Sequence, residues 1–237
     1  MYRRSLFWLL AAGSLAACGP DRPGAVAEPS GSGTPPGAAV AADYRWLAAD
    51  PDLRRGFSFV WVRSRTTAQV LDLLGAQEME RVPWNQLVSS GDGQRGVADR
   101  FFFGVSRIND EWVLIVEDNG ALGTTDEMLR RLSAGTTVIS NYRAPTGRDR
   151  LLVRTGDRVD LDFDPLTGTA QRGARTAELS PTMAAVGFGS STEPVHSTAA
   201  ALALTERLTG IAVTEELLRS KTYLLSSAPR PSGTRSS

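Results

Sequence analysis

The feature that most constrains the fold is a pair of tight connections between strand-like segments. The two pairs of segments are Phe101–Ile108 with Glu111–Glu117, and Leu151–Thr155 with Arg158–Phe163. Only two residues separate the members of each pair, Asn109-Asp110 in the first and Gly156-Asp157 in the second, and these residues tolerate the backbone that tight hairpins need. Loops of this length join antiparallel neighbours, because parallel strands need a long crossover. The sequence therefore predicts a sheet rich in antiparallel pairs.

Further strands and helices are predicted on both sides of these hairpins. β-rich apolar runs predict strands over Phe57–Val62 and Thr136–Tyr142. Apolar stripes, capping residues and terminal glycines predict helices over Thr66–Leu74, from a Thr124 cap to Gly135, and over Pro181–Val186, Thr198–Leu208 and Thr214–Arg219. Grouped strands that do not alternate strictly with helices are typical of α+β proteins. We therefore predict a single α+β domain with an antiparallel-rich sheet flanked by helices.

Composition divides the chain into four parts. They are a signal peptide (1–17), a lipidated cysteine with a Pro/Gly-rich tether (18–41), one globular domain (42–227) and a disordered tail (228–237). The stretch Gly19–Ala41 contains five prolines, five glycines and no aromatic residue, which is typical of flexible linkers. Inside the domain, Ser89–Asp99 and Pro165–Pro181 are predicted to be long loops.

The N-terminus is organised like an export signal. Arg3 and Arg4 precede an apolar run over Leu6–Ala12, which is too short to span a bilayer. The following Leu15-Ala16-Ala17-Cys18 resembles a bacterial lipobox, in which the cysteine thiol receives a diacylglycerol and becomes the new N-terminus. We therefore predict lipid attachment at Cys18 and a location on the extracytoplasmic face of the cell membrane. The alternatives are a plain secretory signal with a chance cysteine, and twin-arginine rather than general secretory export.

Several reactive residue types are nearly missing from the chain. It has one cysteine, Cys18, and one histidine, His196, which cannot form a Cys/His zinc site, a disulfide framework or a metalloprotease helix. Lys221, the only lysine, follows Ser220 where a phosphate-binding P-loop requires glycine. Basic and acidic residues both number 26, so no basic excess points to nucleic acid. We accordingly predict no cofactor and no nucleic-acid partner.

Three aspartates alternate with apolar residues in the last of the paired segments. A strand there places Asp160, Asp162 and Asp164 on one face and their apolar neighbours on the other. Three carboxylates on one face could hold Ca²⁺ or Mg²⁺, but same-face neighbours in a strand lie about 7 Å apart, too far to converge without a bend. We therefore expect a solvated outer face, on which replacing all three by asparagine costs no more than about 1 kcal/mol. A Ca²⁺ site is the alternative, and Arg172 and Arg175 in the following loop could screen the aspartates or serve a partner.

Candidates for catalysis are few. A serine hydrolase would have to use His196 as its base, and Gly187-Phe188-Gly189-Ser190 does not match a nucleophile elbow. We interpret His196 as a helix cap or surface residue and the glycine-containing segment as a helix exit. Glu117 and Asp118 could supply carboxylates at a sheet edge, but no spacing along the chain places two across a cleft. No catalytic residue is therefore predicted.

Six segments together resemble one known family. They are Tyr44-x-Trp46-Leu47, Ala68-x-Val70-Leu71-x-x-Leu74-Gly75-Ala76, Trp112-x-Leu114-x-Val116-Glu117-x-Asn119-Gly120, Leu132-Ser133-x-Gly135-Thr136, Met183-x-Ala185-Val186-Gly187-Phe188 and Ala203-x-x-x-Glu206-Arg207-Leu208-Thr209-Gly210. Over about residues 43–225 the chain resembles an actinobacterial family catalogued as domain of unknown function 6461. The resemblance implies a single-domain protein of a high-GC bacterium without an assigned activity. The lipobox is a departure from the family's soluble, cytoplasmic members.

Two hypotheses for function follow from these features. The first is a membrane-anchored lipoprotein whose domain is a non-enzymatic binding module, displayed outside the cytoplasmic membrane to meet a protein or envelope ligand. The second is a secreted hydrolase that uses carboxylates. A cleft with two or more converging carboxylates would favour the hydrolase.

Overall fold

The computed structural model describes residues 38–89, 99–118, 120–144, 149–168, 171–191 and 193–231. The predicted signal peptide, Cys18 and most of the predicted tether lie outside the described residues. Residues 90–98 of the loop predicted over Ser89–Asp99 also lie outside them.

Among the described residues, eight strands form one sheet in which every neighbouring pair is antiparallel. In chain order they are β1 (Phe57–Arg63), β2 (Gln77–Pro83), β3 (Arg100–Arg107), β4 (Trp112–Glu117), β5 (Thr137–Arg143), β6 (Asp149–Thr155), β7 (Arg158–Phe163) and β8 (Thr222–Pro229). Their order across the sheet is β2-β8-β3-β4-β1-β5-β6-β7. Both predicted hairpins, β3–β4 and β6–β7, are confirmed.

Helices cover both faces of this sheet. The α-helices are α1 (Thr67–Leu74), α2 (Trp84–Ser89), α3 (Asp126–Ser133), α4 (Thr176–Val186), α5 (Pro194–Thr209) and α6 (Glu215–Ser220), and 3₁₀ helices span Ala41–Ala48, Leu53–Arg55 and Leu122–Thr124. Apolar side chains of α2, α4, α5, α6 and the first 3₁₀ helix pack on one face, which we call the α5 face. Those of α1 and α3 pack on the other, the α3 face. The predicted α+β fold, an antiparallel sheet flanked by helices, is confirmed.

Strand residues alternate between the two faces because successive side chains point to opposite sides of a sheet. In β1, Phe57, Phe59 and Trp61 pack on the α5 face, whereas Val60 and Val62 pack on the α3 face. Both sets are completely or almost completely buried. A strand apolar on both faces is typical of a sheet covered on both sides.

Helix α5 is the central helix of its layer. Every residue from Ser197 to Glu206 is buried, because the sheet lies on one side of the helix and the first 3₁₀ helix on the other. Its many alanines permit close packing. The Tyr44 hydroxyl of the 3₁₀ helix donates to Glu206 Oε2 at 2.7 Å and fixes that helix against α5.

The folded part is longer at both ends than the predicted 42–227. Ala39 and Ala41 are buried at the N-terminal end, so the predicted tether boundary at residue 41 is too late. At the other end, β8 runs to Pro229, and Ala228 pairs with Phe101 in β3. The predicted disordered tail is therefore wrong for its first two residues.

The loop predicted over Pro165–Pro181 is also shorter than expected. Helix α4 already begins at Thr176, and Pro181 lies inside it. The prediction treated the proline as a helix start because proline lacks the amide that a helix interior normally uses. Here the proline side chain is exposed and the first turn precedes it.

Candidate functional site

The aspartate row of β7 is buried rather than solvated. The side chains of Asp160 and Asp162 point to one face of the sheet and those of Leu161 and Phe163 to the other, as the predicted alternation requires. The two aspartates, however, are only 0% and 4% exposed. Arg172 covers the edge of β7, where its amide and carbonyl exchange hydrogen bonds with the backbone of Asp162 at 3.0 and 2.7 Å. The expectation of a solvated outer face is therefore wrong, because a segment outside the hairpin packs over it.

Arginine side chains neutralise these buried carboxylates. Asp162 accepts hydrogen bonds from Arg150 at 2.8 and 2.9 Å and from Arg172 at 2.6 and 3.0 Å. Burial alone would raise the pKa of Asp162, but the hydrogen bonds from both arginines outweigh it and hold the pKa below its usual range. Asp160 accepts from Arg158 and from Thr155, each at 2.6 Å.

The Ca²⁺ alternative is not supported by this arrangement. Arginine and threonine donors occupy both oxygens of Asp160, and arginine donors occupy both oxygens of Asp162. Asp164 instead accepts from the backbone amides of Leu166 and Thr167. Within the described part of the chain, no group of three or more histidine, cysteine, aspartate or glutamate residues is arranged to hold a metal ion.

Replacing Asp162 by asparagine should lower the free energy of unfolding by about 2–3 kcal/mol, because the substitution leaves the largely buried Arg150 without its main charged partner. Urea unfolding would measure this loss. Asp157→Asn is the matched control, since Asp157 is an exposed turn residue and should change stability by less than about 0.5 kcal/mol. Equal unfolding midpoints for the two variants would contradict the structural role of the Asp162 ion pairs.

The turn at Asp164–Gly168 forms one wall of a surface cleft. Asp164 Oδ1 accepts from the Leu166 amide at 2.8 Å, and the Asp164 carbonyl accepts from the Gly168 amide at 2.9 Å. Gly173 supports the segment that follows: its φ is 134°, and a Cβ there would overlap the backbone carbonyl of Asp160. The Asp164 side chain thus holds this wall in place, and the close packing of Gly173 on the Asp160 backbone fixes the segment beside it.

The opposite wall is the turn between α4 and α5, which His196 holds. His196 Nε2 lies 2.9 Å from the Gly187 carbonyl and 2.9 Å from Ser190 Oγ, and that hydroxyl donates to the same carbonyl at 2.8 Å. His196 is half-buried and caps the C-terminal end of α4, not the start of its own helix. The sequence analysis did not predict the contact between His196 and Ser190, because Ser190 follows α4 whereas His196 lies in α5, and the path of the loop between them decides whether they meet.

This geometry does not make Ser190 and His196 a catalytic pair. A carbonyl oxygen only accepts hydrogen bonds, so the Nε2 atom that faces Gly187 must carry the proton. The same nitrogen therefore cannot take the proton of Ser190, which a serine hydrolase requires of its base. Both side chains instead fix the turn that carries Phe188.

The cleft between these walls has a volume of about 420 Å³. Its apolar part contains Phe163, Met183 and Phe188, with the two phenylalanine rings edge to face at 5.2 Å. Pro165, Leu166 and Ala184 also belong to the apolar part. Hydroxyl, carboxamide and glycine groups complete the described lining, contributed by Thr167, Gly168, Gln171, Ser180, Gly189, Ser191 and Ser197. No described lining residue carries a charged side chain.

A small polar recess lies next to the cleft, and Pro165 lines both. The recess has a volume of about 10 Å³, about the room that one water molecule needs. Asn141, Asp149 and Thr198 line it, and among the described residues Asn141 Oδ1 has no hydrogen-bond partner. Burial raises the pKa of Asp149 to about 6, although Arg143 opposes the shift.

The second carboxyl with a raised pKa lies on the other face of the sheet. Glu117 is 1% exposed at the end of β4 and accepts from the Leu122 amide at 2.9 Å. Burial raises its pKa to about 8. It packs on the α3 face with Gly120 and Gly123 beside it, whereas Asp149 lies on the α5 face. The two carboxyls therefore do not converge on one cleft, and the edge position predicted for Glu117 is wrong.

These features define a three-layer α+β domain with a neutral cleft between the end of β7 and the α4–α5 turn. The chain belongs to the family of unknown function DUF6461, which it matches over residues 37–232. The resemblance inferred from the six sequence segments is thereby confirmed. No curated protein and no solved structure matches the chain. Within the described residues, no helix combines the length and the apolar character that crossing a membrane requires.

Proposed function

We propose that the protein is a membrane-anchored lipoprotein whose folded domain is a non-enzymatic binding module, displayed outside the cytoplasmic membrane. The neutral cleft carries the binding part of this proposal. It is concave, has an apolar floor with polar groups at fixed positions, and falls in the size range of small-ligand sites. The lipobox at Cys18 carries the anchoring part.

The geometry gives less support to a carboxylate-dependent hydrolase. Such an enzyme needs an acid and a base or nucleophile, usually two carboxyl groups, on either side of the bond it cleaves. The described residues that line the cleft include no carboxylate, and the carboxyl groups of Asp149 and Glu117 lie on opposite faces of the sheet. Asp164 lies near Asp149, but its carboxylate accepts from the Leu166 and Thr167 amides and does not line the cleft. Binding without cleavage is therefore the function that the cleft supports best.

The chain enters the domain beside the cleft. Arg207 in α5 donates to the Ala39 carbonyl at 2.8 Å, and Ala41 lies next to Gly187 in the turn that forms one cleft wall. A flexible linker of the length that separates Cys18 from Ala39 has a root-mean-square span of roughly 25 Å. In the proposed arrangement the anchor thus keeps the cleft close to the membrane surface.

Replacing Cys18 by alanine should abolish acylation, because no other residue of the chain can form the thioether to diacylglycerol. Metabolic labelling with an alkyne fatty acid and fractionation of the cells would show an unlabelled chain, as uncleaved precursor or released domain. Ser14→Ala, which leaves the four lipobox residues intact, is the control and should stay labelled and membrane-bound. Acyl labelling of the Cys18 variant would refute the anchor.

A further inference from the structure

We infer that the ligand of the cleft is a short, uncharged saccharide. The inference rests on the proposed binding function and specifies the class of ligand. Four features of the described residues carry it: the neutral lining, the combination of an apolar floor with a polar rim, the blocked edge of β7, and the polar recess behind Pro165.

The neutral lining selects against charged ligands. A charged group that enters a cleft loses part of its hydration, and this loss needs compensation by an opposite charge or several hydrogen bonds. None of the described residues that line the cleft supplies such a charge. Of the charged side chains nearby, Arg150 and Arg172 are paired with Asp162, and Asp160 is paired with Arg158. Asp149 in the adjoining recess is an acid, so it offers no counter-charge to an anion. A phosphate or carboxylate ligand therefore has no counter-charge in the cleft.

The floor and the rim match the two kinds of surface on a sugar. A sugar ring has C–H groups on its faces and hydroxyl groups around its edge. Phe188 is half-buried beside Phe163 and Met183, so the floor offers an aromatic surface for a C–H face. Ser180 and Gln171 are exposed on the rim, and their hydroxyl and carboxamide groups can each donate and accept hydrogen bonds. Sugar hydroxyls have the same double capacity.

The neighbouring sheet edge is not free to bind a peptide. Extended peptides commonly bind by adding a strand to an exposed edge, where their main chain completes the hydrogen-bond ladder. Next to the cleft that edge is β7, and its backbone already bonds to Arg172, Ala174 and Arg175 at 2.7–3.0 Å. A peptide in this cleft would leave most of its amides and carbonyls without such partners, whereas a sugar needs no ladder.

The polar recess offers one further acceptor. Asn141 Nδ2 donates to Thr205 Oγ1 at 2.8 Å, which orients the side chain and leaves Oδ1 without a partner among the described residues. A buried acceptor of this kind needs a donor. The recess has room for one water molecule, which could supply that donor and bridge Asn141 to a ligand at Pro165.

The test is a binding titration of the full chain, purified in a zwitterionic detergent that contains no sugar. The probes are a panel of neutral di- to tetrasaccharides that covers the common hexose and N-acetylhexosamine linkages, and a set of neutral hexapeptides. Isothermal titration calorimetry should show saturable binding of at least one saccharide. Phe188→Ala should weaken that binding by about tenfold or more, because it removes the partly accessible aromatic surface of the floor.

Two further variants keep the test informative if Phe188→Ala misfolds. Gln171→Ala changes an exposed rim residue and should weaken saccharide binding about threefold or more, through the loss of its hydrogen bonds. Met79→Ala, on the exposed edge strand β2, is the control and should leave the affinity unchanged. Circular dichroism of each variant checks its fold.

The outcomes separate this inference from the proposed function. Saturable binding of peptides alone would overturn the saccharide while leaving the binding module intact. Binding of no probe, or saccharide binding that neither Phe188→Ala nor Gln171→Ala weakens, would overturn the ligand assignment. Cleavage of a bound saccharide, detected by chromatography of the titration mixture, would overturn the non-enzymatic function while leaving the saccharide site in place.

Discussion

Replacing Trp112 by alanine should lower the free energy of unfolding by about 3–5 kcal/mol, the cost typical of removing a large aromatic side chain from a core. Trp112 is 3% exposed and packs on the α5 face with Leu114 and Val116, as the alternation along β4 predicts. Strand β4 lies between β1 and β3, so the surrounding backbone is held on both sides by the sheet. The cavity left by the indole therefore cannot collapse easily.

Urea unfolding followed by far-ultraviolet circular dichroism would measure this loss without relying on tryptophan fluorescence. Met79→Ala is the control, because Met79 is 53% exposed and should change stability by less than about 0.5 kcal/mol. If Trp112→Ala does not fold, Trp112→Phe should fold with a smaller loss. Unchanged midpoints for both Trp112 variants would contradict the packing of β4 on the α5 face.

Local sequence patterns predict most of this sheet. Turn residues mark both hairpins: the β6–β7 turn has the predicted two residues, whereas Ile108 pairs with Trp112 and leaves three residues, 109–111, in the β3–β4 loop. Thr66 has the capping residue type that begins α1, and its hydroxyl accepts from the Gln69 amide at 3.2 Å. Each of these features depends on residues close together in the chain. Their physical cause is therefore visible in a short stretch of sequence.

The unpredicted strands depend on distant partners. Strand β8 pairs with β2 and β3, more than a hundred residues earlier in the chain, and its buried Ser226 and Ser227 do not show the alternation of an amphipathic strand. Strand β2 lies at a sheet edge, and its exposed charged residues hide it from a search for apolar runs. Nothing in the local spacing places β8 between these two strands.

The candidate site shows the same division. The alternation of Asp160 and Asp162 with apolar residues was predictable, but their burial depends on Arg172 and on Arg150 from the neighbouring strand. The contact between His196 and the Gly187 carbonyl likewise depends on how α4 and α5 pack. Residue spacing singles out the aspartates and His196, whereas only tertiary packing determines what they contact and that a cleft forms beside them.

The other large effect concerns Glu117, whose burial should make the stability of the protein depend on pH. The folded-state pKa is raised to about 8 from an ordinary value of 4.5, so the folded protein keeps this proton over a range in which the unfolded chain loses it. Stability therefore falls as the pH rises from 4.5 to about 8, and the contribution is constant outside that window. A shift of this size corresponds to about 4–5 kcal/mol.

Glu117→Gln should remove this dependence, because glutamine has nearly the same shape as the protonated side chain and does not titrate. The difference in unfolding free energy between the variant and the natural protein should shift in favour of the variant by about 4–5 kcal/mol between pH 4.5 and 8. Taking the difference cancels the contribution of Asp149, whose raised pKa, about 6, acts in the same direction in both proteins. Urea unfolding of both proteins at one-unit pH intervals would measure this difference.

Glu216→Gln, at an exposed position of α6, is the matched control and should give a curve parallel to that of the natural protein. A parallel curve for Glu117→Gln as well would mean that the buried carboxyl is already ionised in the folded state, and that the α3 face tolerates the charge.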